Sequence, residues 1–132
     1  MLPHTIEKKE MKSLNNFTEE KAAFLEAIEQ PEHRFSDTLS FLDTWFEYSP
    51  SHFDNNGLLN TDSENHGSAK IFAFAKHYTL TKQQALKCFG EHFRNLDSYP
   101  SDSHLNIRQL MKFDLDGIHF THFPLTQKKG SN

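Results

Sequence analysis

The chain has a single cysteine, Cys88, so it cannot form an internal disulfide and needs no oxidising compartment to fold. No apolar run approaches the ~20 residues that a membrane-spanning helix requires. The first residues, MLPHTIEKKEMK, lack the apolar core and small-residue cleavage site of a secretory leader. Basic charge is not in excess: 14 Lys and Arg stand against 18 Asp and Glu, for a net −4. A nucleic-acid binder ordinarily gathers Lys and Arg on one face, whereas here they are scattered. Neither nucleic acid nor a membrane is therefore an expected partner. None of the nine histidines has another four residues away, the helical spacing that zinc sites commonly use. His119 and His122 would point to opposite faces of a strand. No metal and no other cofactor is expected.

What the chain does have is aromatic bulk and room for one core. Its 132 residues fit a single domain. A chain of this size buries roughly two-thirds of the surface its unfolded form exposes. Thirteen Phe, three Tyr and Trp45 should dominate that core, since each large aromatic removes about 150–250 Å² from water. Residues 1–15 are polar and dense in Lys and Glu, which predicts a flexible tail. One globular domain is expected over 16–126 and a second tail over 127–132.

Helix and turn signals alternate between those tails. A first helix is expected from Thr18 to Gln30, with Asn16 and Glu19 as a cap-and-return pair and Pro31 as its stop. Phe17, Phe24 and Ile28 mark its inner face. A second starts at Ser36 and carries Leu39, Leu42, Trp45 and Phe46 inward, ending at Tyr48-Ser49-Pro50. Residues 51–65 read as an ordered loop anchored by Phe53, Leu58 and Leu59, with a turn at Asn55-Asn56-Gly57. A third helix spans Asn65 to Tyr78 and buries Ile71, Phe72, Phe74 and Ala75. Thr81 and Gln84 form a capping box that opens a fourth helix carrying Leu86, Phe89 and Phe93 inward, with Gly90 allowing close approach of a neighbour. A fifth runs from Ser103 to Phe113 on Ile107, Leu110 and Met111. Asp116-Gly117 then introduces a short strand, IHFTH, whose expected partner lies between Tyr48 and Phe53. The fold class is α+β and mainly helical: about five helices with a short two-stranded antiparallel element.

Several strings, in this order and spacing, carry a resemblance. They are Phe46-x-Tyr48-Ser49-Pro50-x-x-Phe53-x-Asn55, Asn60, Asn65-x-Gly67-Ser68 and Lys70-Ile71-Phe72-Ala73-Phe74-Ala75. Cys88-Phe89-Gly90 with Arg94, His104-x-Asn106-Ile107-Arg108 and Gly117-Ile118-x-Phe120 complete the set. Over residues 35 to 125 the chain resembles the HopJ type III effector family. It departs from the family pattern at Asn56 and Ser63, where glycine is usual, at Ala69 in place of cysteine, and at Leu115 in place of tryptophan. Asn at position 56 can still adopt positive φ. The missing cysteine argues against a role needing two thiols. The lone cysteine and the lack of a leader or membrane span make the cytoplasm the expected compartment. The resemblance implies a bacterium, and the family name raises export by type III secretion as the alternative. The resemblance supplies no catalytic residue to carry over.

Four constellations could carry chemistry. Asn55, Asn60, Asn65, Gly67 and Ser68 precede a helix start, where backbone N–H groups can hold a phosphate or carboxylate, with Lys70 and Arg94 or Arg108 adding charge. The plainer role for these amides is to bond nearby backbone and fix the loop. His104, Asn106 and Arg108 sit on neighbouring helical turns and could supply an acid–base group and an anion clamp. The plainer role there is helix capping and surface pairing. Cys88, beside Phe89, reads as a small buried apolar group rather than a nucleophile. Phe72, Phe74, Phe89, Phe93 and Phe120 could line an apolar pocket, though their spacing suits core packing better. The expected function is a non-enzymatic binding or interaction domain with an unknown protein partner. The alternative is a small ligand-binding protein or enzyme that holds an anionic small molecule with the Asn-rich loop, Tyr48, His104 and Arg108.

Overall fold

The computed structural model describes residues 16–129, so the expected tail over 1–15 lies outside the described residues. Helix α1 is already running at Asn16, which is therefore not its cap, and it continues to residue 27. Its last turn tightens before Pro31, with Gln30 N–H donating to the Ala27 carbonyl at 3.0 Å. Then follow α2 (Phe35–Trp45), β1 (Phe46–Tyr48), β2 (Phe53–Asn55) and β3 (Leu58–Asn60). The chain continues through α3 (His66–His77), α4 (Lys82–Lys87), α5 (Glu91–Arg94) and a 3₁₀ turn at Leu96–Ser98. It closes with α6 (Leu105–Lys112), a 3₁₀ turn at Leu115–Gly117, β4 (Ile118–Phe120) and β5 (Leu125–Gln127). The class is α+β with helix in the majority, as the sequence predicts.

The strands form two small antiparallel sheets instead of one two-stranded element: β1 with β5, and β3-β2-β4. The expected partner of the IHF strand shifts accordingly. β4 pairs with β2 in the register Phe53↔Phe120, while Tyr48 belongs to β1 and faces Leu125. The turn signal in 51–65 builds a β2–β3 hairpin. Asn56 (φ 53°) and Gly57 (φ 98°) supply the two positive-φ residues that a right-twisted two-residue loop needs. Gln127 and Lys128, expected in a tail, belong to the fold: Gln127 pairs with Phe46, and Lys128 N–H donates to the Trp45 carbonyl at 2.9 Å.

Helix α3 runs through the centre. Ala69 and every residue from Ile71 to Ala75 are buried, so the helix is apolar nearly all round, the pattern of a helix enclosed by neighbours. Phe74 meets Phe24, Phe41 and Phe46 edge-on at 5.7–5.9 Å. Phe72 meets Phe53 and Phe89 at 6.1 and 5.7 Å. One helix thus joins the aromatic group of α1–α2 to that of the β2–β4 sheet, and aromatic packing does dominate the core. Two residues expected to point inward do not: Leu59 is 77 % and Met111 46 % exposed. In α2, Thr38 is buried beside Leu42, whereas Leu39 and Trp45 are half-buried.

The expected single helix after Thr81 is broken. Its capping box is present, with Gln84 N–H donating to Thr81 Oγ1 and Thr81 N–H to Gln84 Oε1 at 3.1 and 2.9 Å. α4 nonetheless stops at Lys87, and Gly90 takes φ 56°, ψ −127°, a conformation open in practice only to glycine. A Cβ at Gly90 would lie 2.5 Å from the Phe35 backbone nitrogen. The break brings Glu91 under the start of α2, where its carboxylate accepts from Phe35 N–H at 2.7 Å and from the Arg34 guanidinium at 3.1 Å. One helix caps another across the fold.

Candidate functional site

The β2–β3 hairpin and α6 are welded by amides. Asn55 Nδ2 donates to both the backbone carbonyl and Oδ1 of Asn106, at 3.1 and 3.0 Å. Asn106 Nδ2 donates to Asn60 Oδ1 at 2.8 Å, and Asn60 Nδ2 returns a bond to Asn106 Oδ1 at 3.2 Å. Asn65 Nδ2 also reaches Asn60 Oδ1, at 2.6 Å, while Asn56 Nδ2 donates to Asn55 Oδ1 at 2.9 Å. Asn55, Asn60 and Asn106 are buried, so each of these bonds removes the cost of a desolvated amide. The network fixes where α3 and α6 begin relative to each other.

Both helices begin at a residue in the left-handed region, Asn65 (φ 53°) for α3 and His104 (φ 50°) for α6, and neither is capped by a side chain. Their N-termini share a cleft of about 470 Å³, a size within the range of small-ligand and peptide-anchor sites. Its polar lining includes Asn60, Asn65, Ser68, His104 and Asn106. Phe35, Phe89 and Ile107 supply apolar wall, and the exposed side chains of Leu59 (77 %) and Leu105 (44 %) border it. Glu64 and Asp102 add carboxylates at exposed positions.

The other expected site residues lie elsewhere. Tyr48 bonds to His66 Nδ1 at 2.7 Å, its hydroxyl pushed up in pKa by burial and by Asp62. Lys70 sits over the Tyr48 ring at 5.0 Å and pairs with Asp43 of α2 at 2.9 Å. Asn55 lies beneath the cleft floor in the amide network. Arg108 spends its guanidinium on carbonyls: Ser103 at 2.7 Å, Pro100 at 3.1 Å, and Leu96 and Tyr99 at 3.4 Å. The three cations considered for an anion clamp, Lys70, Arg94 and Arg108, are thus not among the cleft's lining residues. Of the five Phe considered as pocket wall, Phe89 alone lines this cleft.

His104 stacks on His92 at 5.0 Å and meets Tyr99 edge-on at 4.5 Å. Burial, then the neighbouring His92 and Arg108 charges, hold the His104 imidazole below its ordinary pKa. His92 Nδ1 is buried without a hydrogen-bond partner. Among the described residues, no three His, Cys, Asp or Glu side chains cluster closely enough to hold a metal ion. Nor is any helix there long and apolar enough to cross a membrane. Cys88 is fully buried, and burial pushes its thiol up to about 12, so no thiolate is available near neutral pH. Its carbonyl accepts from Thr38 Oγ1 at 2.7 Å, a packing role.

Phe35, Glu64, His92, Asp102 and Leu105 line the cleft without having been singled out in the sequence, and Leu59 lines it although it is expected there as an inward anchor of the loop. No local spacing connects them, because the cleft arises from two helix starts held together by buried amides.

Residues 21–125 match the family model described as HopJ type III effector protein. The chain belongs to the HopJ type III effector family. This HopJ protein is also similar to the protein of unknown function VPA0580, known from a crystal structure. The two are 34 % identical with a TM-score of 0.73, covering 81 % of this chain and 92 % of that one. No functionally curated protein matches this HopJ chain.

Proposed function

We propose that this HopJ chain is a non-catalytic binding domain that acts through the cleft between the N-termini of α3 and α6. The observation that carries the reading is that Leu59 and Leu105 are exposed at the border of a cleft walled by Phe35, Phe89 and Ile107. Fully burying an exposed leucine is worth roughly 1.5–3 kcal/mol, and an apolar partner recovers most of that at Leu59 and about half of it at Leu105. The floor points the same way: its amides are bonded to one another and held rigid, as a docking surface requires. A catalytic set would need a nucleophile and a base within hydrogen-bond reach. Hydroxyl–imidazole pairs such as Tyr48 with His66 and Ser49 with His122 lie outside the cleft; the Cys88 thiol is buried and protonated, and His104 packs against other rings.

The two uncapped helix starts favour an anionic ligand, which keeps the small-molecule alternative in view. Against it, Lys70 and Arg108 are committed to Asp43 and to backbone carbonyls. The family name supports export by type III secretion, which would make the partner a host protein.

Amide chemical shifts followed through a panel of acidic, neutral and basic peptides and fragments test the reading. One class should perturb a contiguous set over 58–68 and 104–107. Perturbations confined to another face, or chemical turnover of a panel member, would remove it. Export is checked separately, by assaying culture medium from bacteria with and without the secretion apparatus.

A further inference from the structure

The charge around the cleft narrows the class of partner, and the narrowing rests on the binding reading above. Glu64 and Asp102 are the carboxylates among its lining residues, and neither Lys nor Arg lines it. Lys70 Nζ, near the α3 start in sequence, lies 2.9 Å from Asp43. Arg108, one turn into α6, donates to carbonyls of the 96–103 segment. Each helix N-terminus contributes about half a positive charge. Two such ends supply roughly one charge against two carboxylates, so the surroundings stay net negative. The chain as a whole, at −4, adds to that sign.

We propose that the cleft takes a short protein segment in which an apolar side chain is flanked by Lys or Arg. The apolar side chain would rest between Leu59 and Leu105 against the half-buried Phe35 ring, with the buried Phe89 behind it. The basic flanks would pair with Glu64 and Asp102. Carbonyl oxygens of the segment are the neutral acceptors suited to the N–H groups at the two helix starts, which lack side-chain caps. An extended segment presents all three features at once, whereas a phosphate or free carboxylate matches the helix ends but meets the carboxylates as like charges.

Three N-acetylated, C-amidated hexapeptides test this on the whole chain, with a central Leu-Phe pair flanked by Lys, by Gln or by Glu. The Lys peptide should bind tightest, shift the amides of Leu59, Asn65 and Leu105, and weaken as salt rises. The Glu64→Gln, Asp102→Asn double variant should weaken it by roughly twofold to thirtyfold, since two exposed ion pairs contribute about 0.2–1 kcal/mol each. The same variant should leave the Gln peptide unchanged. Gln at position 64 retains an acceptor for the Thr61 N–H, now bonded to Glu64 Oε2 at 2.8 Å, so the fold is spared. Equal or tighter binding of the Gln or Glu peptide at the same amides overturns the basic preference while the cleft reading stands. Failure of all three to shift those amides overturns both. Self-association that Leu59→Ser and Leu105→Ser abolish would assign the cleft to a second copy and also overturn the proposal.

Discussion

Residue by residue, the polar groups that look most like a ligand site turn out to hold the protein to itself. Arg108 is the clearest case. Its guanidinium gathers carbonyls from Leu96 to Ser103, a segment with little regular structure of its own. Hydrogen bonds from a charged donor contribute about 1.5–3 kcal/mol, and the planar fork lets one side chain serve several acceptors. Arg108→Ala should therefore lower unfolding stability in urea by about 2–3 kcal/mol. Arg108→Lys should recover only part of the loss, because an ammonium cannot reproduce the fork. An anion clamp would behave differently, with Lys restoring ligand response while stability barely moves. Wild-type stability of the Ala variant would return Arg108 to the list of site candidates.

At the scale of elements, what could be read in advance was local. The Thr81–Gln84 capping box and the Asn56-Gly57 turn depend on residues within one turn of each other, and both are present. Close approach of a neighbour at Gly90 was legible from the glycine, but the helix break there was not, because its cause is the backbone of Phe35, brought close only by the tertiary fold. The cleft failed for the same reason: Leu59, Asp102 and Leu105 meet through an amide network between a hairpin and a distant helix. The end of α3 hides a local oddity too. Leu80 N–H donates to the Ala75 carbonyl at 2.9 Å around Thr79, which sits at φ 55°. That is a Schellman closure with a β-branched residue where glycine is usual. The left-handed conformation costs a non-glycine residue about 1–2 kcal/mol, and glycine's extra freedom when unfolded returns about 0.5–1 kcal/mol of that. Thr79 is exposed and loses little packing on truncation. Thr79→Gly should raise stability by about 0.5–1 kcal/mol, visible as a few degrees in Tm. A lower Tm would mean that the hydroxyl makes a contribution the backbone geometry does not reveal.

For the molecule as a whole, the groups with displaced pKa values predict how the fold responds to acid. His33 is buried, and its Nε2 lies 2.7 Å from Thr38 Oγ1. Thr38 gives its own proton to the Cys88 carbonyl, so His33 Nε2 must be the donor, and the chain of bonds ties the α1–α2 link to the end of α4. Burial holds His33 below its ordinary value of 6.5; Asp37 and Glu91 pull it upward and Arg94 downward, without reversing the sign. His104 is displaced in the same direction. Between the ordinary value and the lower folded one, the unfolded chain binds more protons than the folded chain. Stability is therefore complete above about pH 6.5 and falls as the pH drops from there to the folded values. Glu91 adds a second, more acidic loss. Burial works upward on its carboxyl, but the Phe35 and Glu91 amides and the Arg34 charge outweigh it and hold it below the ordinary 4.5. Its stabilisation is present above that value and disappears as the pH falls through the folded one. Thermal unfolding followed from pH 8 to 3 should show a plateau, a decline starting near 6.5, and a further one below 4.5. His33→Gln keeps a donor for Thr38, and His104→Asn keeps a residue at ease with positive φ. The pair should flatten the first decline and leave the second. A Tm that rises from pH 7 to 5.5, or a double variant with the parent's profile, would show that His33 and His104 do not control the acid response of this fold.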